Sequence, residues 1–309
     1  MKRWVHVLWI LGTFLVCILV VLGIWGLVDG ILAGPCPEGL QYVFEDGHAV
    51  ITGYTEYEAS LVIPSKIKGR PVTLIRYLGD QYTLEEIRIP AGAQVEQDPF
   101  AECFALRRLE VDEKNPYLKV ADGVLFSRDG EELICYPSAL SNKTYEIPAG
   151  TKRIGIEAFS WADFTLEHVI VPEGVEVISP YAFSHCFGLL HLDLPSSLRE
   201  LGGSALLECG LHEADLTKCT QLTAVKDETF SMCFDLEHVR LPGSVKDIGN
   251  SAFSYCDDLL CVEVPGRLEH LGQSVFEASK KLECVITSDA LLTAYCQEQG
   301  IPVKAPGEG

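Results

Sequence analysis

The chain has 309 residues, 48% of them hydrophobic, enough to bury a large core. Its 24 lysines and arginines stand against 44 acids, a formal charge of −20 that repels phosphate and argues against a nucleic-acid partner. Its 12 cysteines suggest disulfides or bound metal at first sight, until their placement is read.

Met1–Arg3 is basic and Trp4–Val28 is almost wholly apolar. Val5–Val28 is 24 residues, about 36 Å as a helix, which spans a bilayer core of ~30 Å. A secretory apolar region is shorter, about 7–15 residues, and ends in a small-x-small site. No Ala-x-Ala follows, and Pro35 interrupts the lipoprotein-like run Leu32, Ala33, Gly34, Cys36. The segment 4–33 therefore reads as an uncleaved transmembrane signal anchor. Residues 1–3 form its cytoplasmic tip, and everything after Asp29 lies outside the membrane. A cleaved signal peptide would change the anchoring but not the side.

Residues 34–39 form a Pro/Gly linker. Residues 40–75 read as an N-terminal β capping region. Asp46-Gly47 sits between two β-rich runs there, which predicts a hairpin. From 76 to 287 the chain repeats. A marker recurs at Phe100, Phe159, Phe183, Leu206, Phe230, Phe253 and Phe276, at spacings of 59, 24, 23, 24, 23 and 23 residues. A period of about 23 is the length of a leucine-rich repeat unit. The long first interval holds an insertion, about 115–142, with a hairpin across Ser127–Gly130, either projecting from the stack or built into it. A slipped unit lies near Gly210–Asp227, where one residue is lost after Cys209 and Lys218–Gln221 adds length. Residues 288–300 show a helical stripe, Leu291, Ala294 and Tyr295, opened by Ser288 or Asp289 and closed by Gly300. This helix is the candidate cap for the last open face, and 301–309 reads as a tail.

Cys103, Cys186, Cys209, Cys233 and Cys256 each lie three residues after a marker, where other units carry Ala162 or Ser279. A position that accepts Cys, Ala or Ser is a small buried packing site, not a metal ligand or a disulfide. Within a unit such as Leu236–Leu241, Val239 and Leu241 share one strand face and Glu237, His238 and Arg240 point outward. Stacked units set these strands side by side in a parallel sheet about 4.8 Å apart.

The run Leu-x-x-Val-x-Leu-Pro-x-x-Val-x-x-Ile-Gly-x-x-Ala-Phe-x-x-Cys, as it stands in Leu236–Cys256, resembles the BspA-like (Treponema-type) leucine-rich repeat family of bacterial surface proteins. The resemblance covers about Leu40 to Val303 and implies a repeat solenoid with a parallel β-sheet on one face. It also implies adhesion-type protein–protein contacts at a bacterial surface. That is an argument from fold family, weaker for function than for fold.

The outward strand positions form a column: Glu86, Arg108, His168, His191, Glu213, His238, Cys261, Cys284. His168 and His191 are neighbours in it, and an imidazole pair beside a carboxylate could hold zinc or copper. Duplication of a polar position on a solvated ladder explains the column as well, and a flat sheet closes a tetrahedron poorly, so no metal or other cofactor is assigned. Cys261 and Cys284 are stacked neighbours that a disulfide could join. No phosphate loop, nucleophile elbow or ordered nucleophile–base set is present. Asn142-Lys143-Thr144 fits a glycosylation sequon, weak in a bacterial chain.

The expected function is a non-enzymatic, membrane-anchored surface module that binds an extracellular or envelope protein, or a glycan. The expected contact face is Glu167, His168, Ile170, His191, Asp193, Glu213, Asp215, Glu237, His238 and Arg240. Two alternatives stand beside it. One is an envelope scaffold for proteins of the same cell, and the other a metal-binding surface protein.

Overall fold

Asp46 and Gly47 take φ values of 46° and 83°, the backbone that joins two twisted strands, so Leu40–Glu45 and His48–Tyr54 fold back as an antiparallel hairpin. After this hairpin the computed structural model, which describes residues 36–162 and 165–307, builds the chain as a stack of similar coils. The membrane anchor expected over 4–33 lies outside the described residues. Among the described residues no helix is long and apolar enough to cross a membrane.

Each coil contributes to three main-chain ladders. The first is the strand wall. Thr144–Glu146, His168–Ile170 and His191–Asp193 lie parallel and in register. Glu213–Asp215, His238–Arg240, Cys261–Val264 and Cys284–Thr287 form a second block. Earlier rungs are Ser60–Val62, Glu86–Ile89 and Arg108–Val111, so the wall begins inside the stretch read as a capping region. The second ladder is made of two-residue strands. Arg153–Ile154, Val177–Ile178 and Glu200–Leu201 pair in one run, and Ala224–Val225, Asp247–Ile248 and His270–Leu271 in another.

The third ladder runs through the turns around the marker. In the six units from Phe159 to Phe276, the residues two before and two after the marker have positive φ, as at Glu157 (52°) and Trp161 (60°). None of these is glycine, and the left-handed backbone costs an L-residue about 1–2 kcal/mol. The offset is visible one coil on: Glu157, Phe159 and Trp161 donate their N–H groups to the carbonyls of Pro180, Ala182 and Ser184. The same three bonds recur at every later junction as far as Ser251, Phe253 and Tyr255.

The core fills the space between the ladders. Phe159 stacks on Phe183 with ring centroids 4.8 Å apart, Phe230 on Phe253 at 5.4 Å, and Phe253 on Phe276 at 5.7 Å. Leu206 stands between the two runs. Tyr136 extends the file at the other end, 4.9 Å from Phe159. It lies inside the insertion, which is therefore a coil of the stack and not a projection. Its Glu132–Cys135 strand pairs antiparallel with Val124–Ser127 and parallel with Arg153–Ile154. Leu118–Ala121 adds a third strand across the turn at Asp122-Gly123. Alternation makes this hairpin a partition: Leu125 faces the core of the first coils, Val124 and Phe126 that of the later ones.

The cysteine slot is more than small. The thiols of Cys186, Cys209, Cys233 and Cys256 each lie 3.0 Å from the carbonyl of the preceding marker, to which they donate, and Ser279 makes the same bond with its hydroxyl at 2.7 Å. Burial pushes Cys135 and Cys256 up to about 12. An unfolded thiol ionises near pH 8.5, so the folded chain holds these protons to higher pH. Their contribution to stability is whole below about pH 8.5 and is lost as pH climbs toward 12. The urea midpoint should therefore fall between about pH 8 and 11, less steeply in Cys256→Ser, and a flat profile would refute the linkage. In the native chain a thiol reagent should modify exposed Cys36 well before these buried thiols.

At the C-terminus Asp289 accepts the N–H of Leu292 and opens the helix Ala290–Gln299, which Gly300 closes at φ 72°. Leu292 and Cys296 pack into the core, and Tyr295 meets Phe276 with centroids 6.2 Å apart. The stretch read as a tail instead supplies a last parallel strand, Val303–Lys304, against Val285 and Ile286.

Candidate functional site

The strand wall presents two columns of outward side chains. In one, Thr144, His168 and His191 are in register, as are Glu213, His238, Cys261 and Cys284. In the other, Glu146, Ile170 and Asp193 precede Asp215, Arg240 and Glu263. From Thr144 onward, both columns are interrupted at one place. In the Phe183 unit the strand starts eight residues after the marker, at His191. In the Leu206 unit it starts seven after, at Glu213, because one residue is missing beyond Cys209. Gly210 makes the shortcut possible. Its N–H reaches the carbonyl of Cys186 at 3.1 Å, and a Cβ there would sit 2.2 Å from the carbonyl oxygen of Phe187.

The strands His191–Asp193 and Glu213–Asp215 consequently do not pair, and a cleft of about 290 Å³ opens between them. His191 and Asp193 line one side, Glu213 and Asp215 the other, with Thr217 and Lys218 at the end. Asp215 is the fixed acid of the site. The Thr217 hydroxyl (2.7 Å) holds its carboxyl below the ordinary range, as do the Thr217 N–H (2.9 Å) and the Arg240 guanidinium (3.1 Å). Across the cleft, Asp193 bonds the His168 ring at 2.9 Å, and the His168 and His191 rings meet edge to face at 5.8 Å.

The ten expected contact residues all fall on or beside this wall. His191, Asp193, Glu213 and Asp215 meet in the cleft, while His168 and Arg240 border it through Asp193 and Asp215. Ile170 and His238 lie half-buried in the flanking rungs. Glu167 and Glu237 sit just before their strands; Glu167 pairs with Lys143 at 3.0 Å. Thr217 and Lys218 were not expected, and the added length after Asp215 was the signal for them. Among the described residues no group of three potential ligands could hold a metal ion. Cys261 and Cys284 are thiols in contact, their Sγ atoms 3.4 Å apart.

A second exposed feature lies along the turns. Tyr82 stacks on Phe104 at 5.1 Å, Phe104 meets Trp161 edge-on at 5.4 Å, and Trp161 stacks on His185 at 4.1 Å. Phe187 completes the row, 6.0 Å from Trp161. Phe104, Trp161, His185 and Phe187 come from positions two or four residues beyond markers, and Tyr82 from the coil before the first marker; these positions carry no apolar period of their own.

Residues 152–283 match the BspA type leucine rich repeat region in 6 copies. A leucine-rich repeat protein from Bacteroides ovatus is similar in structure, with TM-score 0.52 and 23% identity over 83% of this chain and 71% of that one. The pneumococcal vaccine antigen PcpA aligns with TM-score 0.43 and 17% identity, over 82% of this chain and 87% of that chain. The T. pallidum leucine rich repeat protein aligns with TM-score 0.35 and 20% identity, over 88% and 98%. No curated protein matches the chain. The first likeness shows the fold alone, and the six repeat copies identify the array at residues 152–283 as a leucine-rich repeat region of the BspA type.

Proposed function

We propose that this chain is a membrane-anchored, extracytoplasmic adhesion-type module that binds a protein partner through its strand wall, with the cleft between His191–Asp193 and Glu213–Asp215 as the centre of contact. Leucine-rich repeat proteins are generally binding scaffolds and not enzymes. One observation carries the placement. The outward columns are mostly polar, and at the cleft two successive rungs part, so that His191 and Asp193 face Glu213 and Asp215 across a concavity. The apolar run Trp4–Val28 behind a basic tip supports the anchoring.

The ion pairs on the wall do little for folding, since exposed pairs are worth about 0–1 kcal/mol. Side chains there can therefore be changed without unfolding the array. The full-length chain should be screened against host extracellular proteins and against proteins of its own envelope. A partner using the cleft should lose at least tenfold in affinity to the Asp193→Lys/Asp215→Lys variant. Unchanged affinity in that variant would place binding elsewhere. Partners drawn only from the same envelope would favour a scaffold.

A further inference from the structure

The aromatic row on the turn edge is separate from the strand wall and is unused by the core. Three of its rings are open to solvent: Tyr82 is 64% exposed, Trp161 37% and Phe187 36%. They touch each other in sequence across coils that are distant along the chain, so the row is one continuous platform. A surface of this kind needs a reason to be exposed.

Its surroundings select the occupant. Glu208 meets the His185 ring, Glu102 comes two residues before Phe104 and Glu157 four before Trp161, and none of these acids pairs with a lysine or arginine among the described residues. Glu208 Oε2 lies 3.9 Å from His185 Nε2. Burial lowers the pKa of that imidazole, against the pull of Glu208, so the ring is a neutral platform near pH 7 and leaves Glu208 unneutralised. At the other end, burial and the nearby Glu157 push Asp98 up to about 7, and burial and Glu102 raise Glu157. Like charges held this close, beside aromatic faces and with no cation among them, complement a positive ligand. Aromatic faces themselves attract ammonium and guanidinium groups, most strongly for tryptophan.

We propose that this ridge docks a basic segment of a partner protein, an arginine- or lysine-rich stretch whose cations lie over Trp161 and Tyr82 with the carboxylates of Glu102, Glu157 and Glu208 beside them. The net charge of −20 brings such a segment to the chain from any side, and the rings hold it at this edge. The site is additional to the strand wall, so either can fail without the other.

The test uses the full-length chain, a labelled arginine-rich peptide and fluorescence anisotropy at fixed salt. Trp161→Ala and Tyr82→Ser leave net charge unchanged, so attraction to an acidic surface in general would survive both. Binding should weaken about tenfold in Trp161→Ala and several-fold in Tyr82→Ser, the more exposed position and the safer one for folding. Glu208→Gln should weaken it as well, while Asp193→Ala on the strand wall should not. Equal affinity in the wild type and both aromatic variants would overturn the proposal. So would a loss with Asp193→Ala alone. Displacement of the peptide by a neutral oligosaccharide would also overturn it, because the platform would then be a sugar site.

Discussion

Replacing Phe253 with alanine should cost the array about 3–5 kcal/mol, the usual price of emptying a fully buried phenylalanine site. Phe253 is 0% exposed and stacks on Phe230 on one side and Phe276 on the other. Its backbone N–H also spans to Val275 in the next coil, and its carbonyl receives the Ser279 hydroxyl. The gap left by truncation cannot collapse, because the ladders on either side fix the rise between coils. The loss should appear as a lower urea midpoint with little change in slope, followed by far-UV circular dichroism. Coils in such arrays stabilise only their neighbours, so the Phe253 coil and those beside it should loosen first. If the midpoint moved by less than a tenth of the total, the stacked file would not be what holds the coils together.

The second large effect concerns Gly202. A Cβ at this position would lie 2.4 Å from Pro180 N, 2.5 Å from Ser179 C and 2.7 Å from Pro180 Cα. All three are main-chain atoms of the preceding coil, so no rotamer can relieve the clash. Gly202→Ala should destabilise by about 3 kcal/mol, the upper end of overpacking costs. Gly243→Ala is the control: a Cβ there meets nothing within 4 Å, and the backbone is not left-handed. That change should fall within about 1 kcal/mol of neutral and lean toward stabilising, by restricting the unfolded chain. Thermal unfolding of the pair under one set of conditions decides the point. Equal melting temperatures would show that coil spacing at Gly202 is not tight.

Much of this architecture was legible because one physical constraint repeats. A coil must bury the same face as its neighbour, so Phe183, Phe230 and Phe253 recur at one phase and are found in file. Cys186, Cys233 and Cys256 recur for the same reason. Their size was readable from the alternation with Ala162 and Ser279, but their bond to the preceding marker carbonyl was not. Serine retains that bond and alanine gives it up, so the slot tolerates both chemistries. Tyr136 was missed because the insertion shifts the phase: no Cys stands three residues on, and Ser138, two residues on, donates its hydroxyl to Cys103 O at 2.6 Å instead. The left-handed turn residues were also hidden. Trp161, Tyr181 and Met232 carry no local signal for positive φ, since it is the next coil that imposes it. At the cleft, the lost residue after Cys209 was visible, but its effect on strand pairing needed the register of both neighbours. The aromatic row was hidden differently, because each ring alone reads as an ordinary exposed side chain and only the stack joins them.

The two strand ladders are both cut within the Leu206 unit, yet the turn ladder runs through it without a gap: Phe183 reaches Ala205 at 2.9 Å and Leu206 reaches Thr229 at 3.0 Å. A bend here can therefore turn about an axis lying along the turns without breaking a strand ladder. The halves before and after would swing like covers on the spine of a book. A tug across this joint can widen or narrow the gap between His191 and Glu213 without breaking a hydrogen bond between strands there.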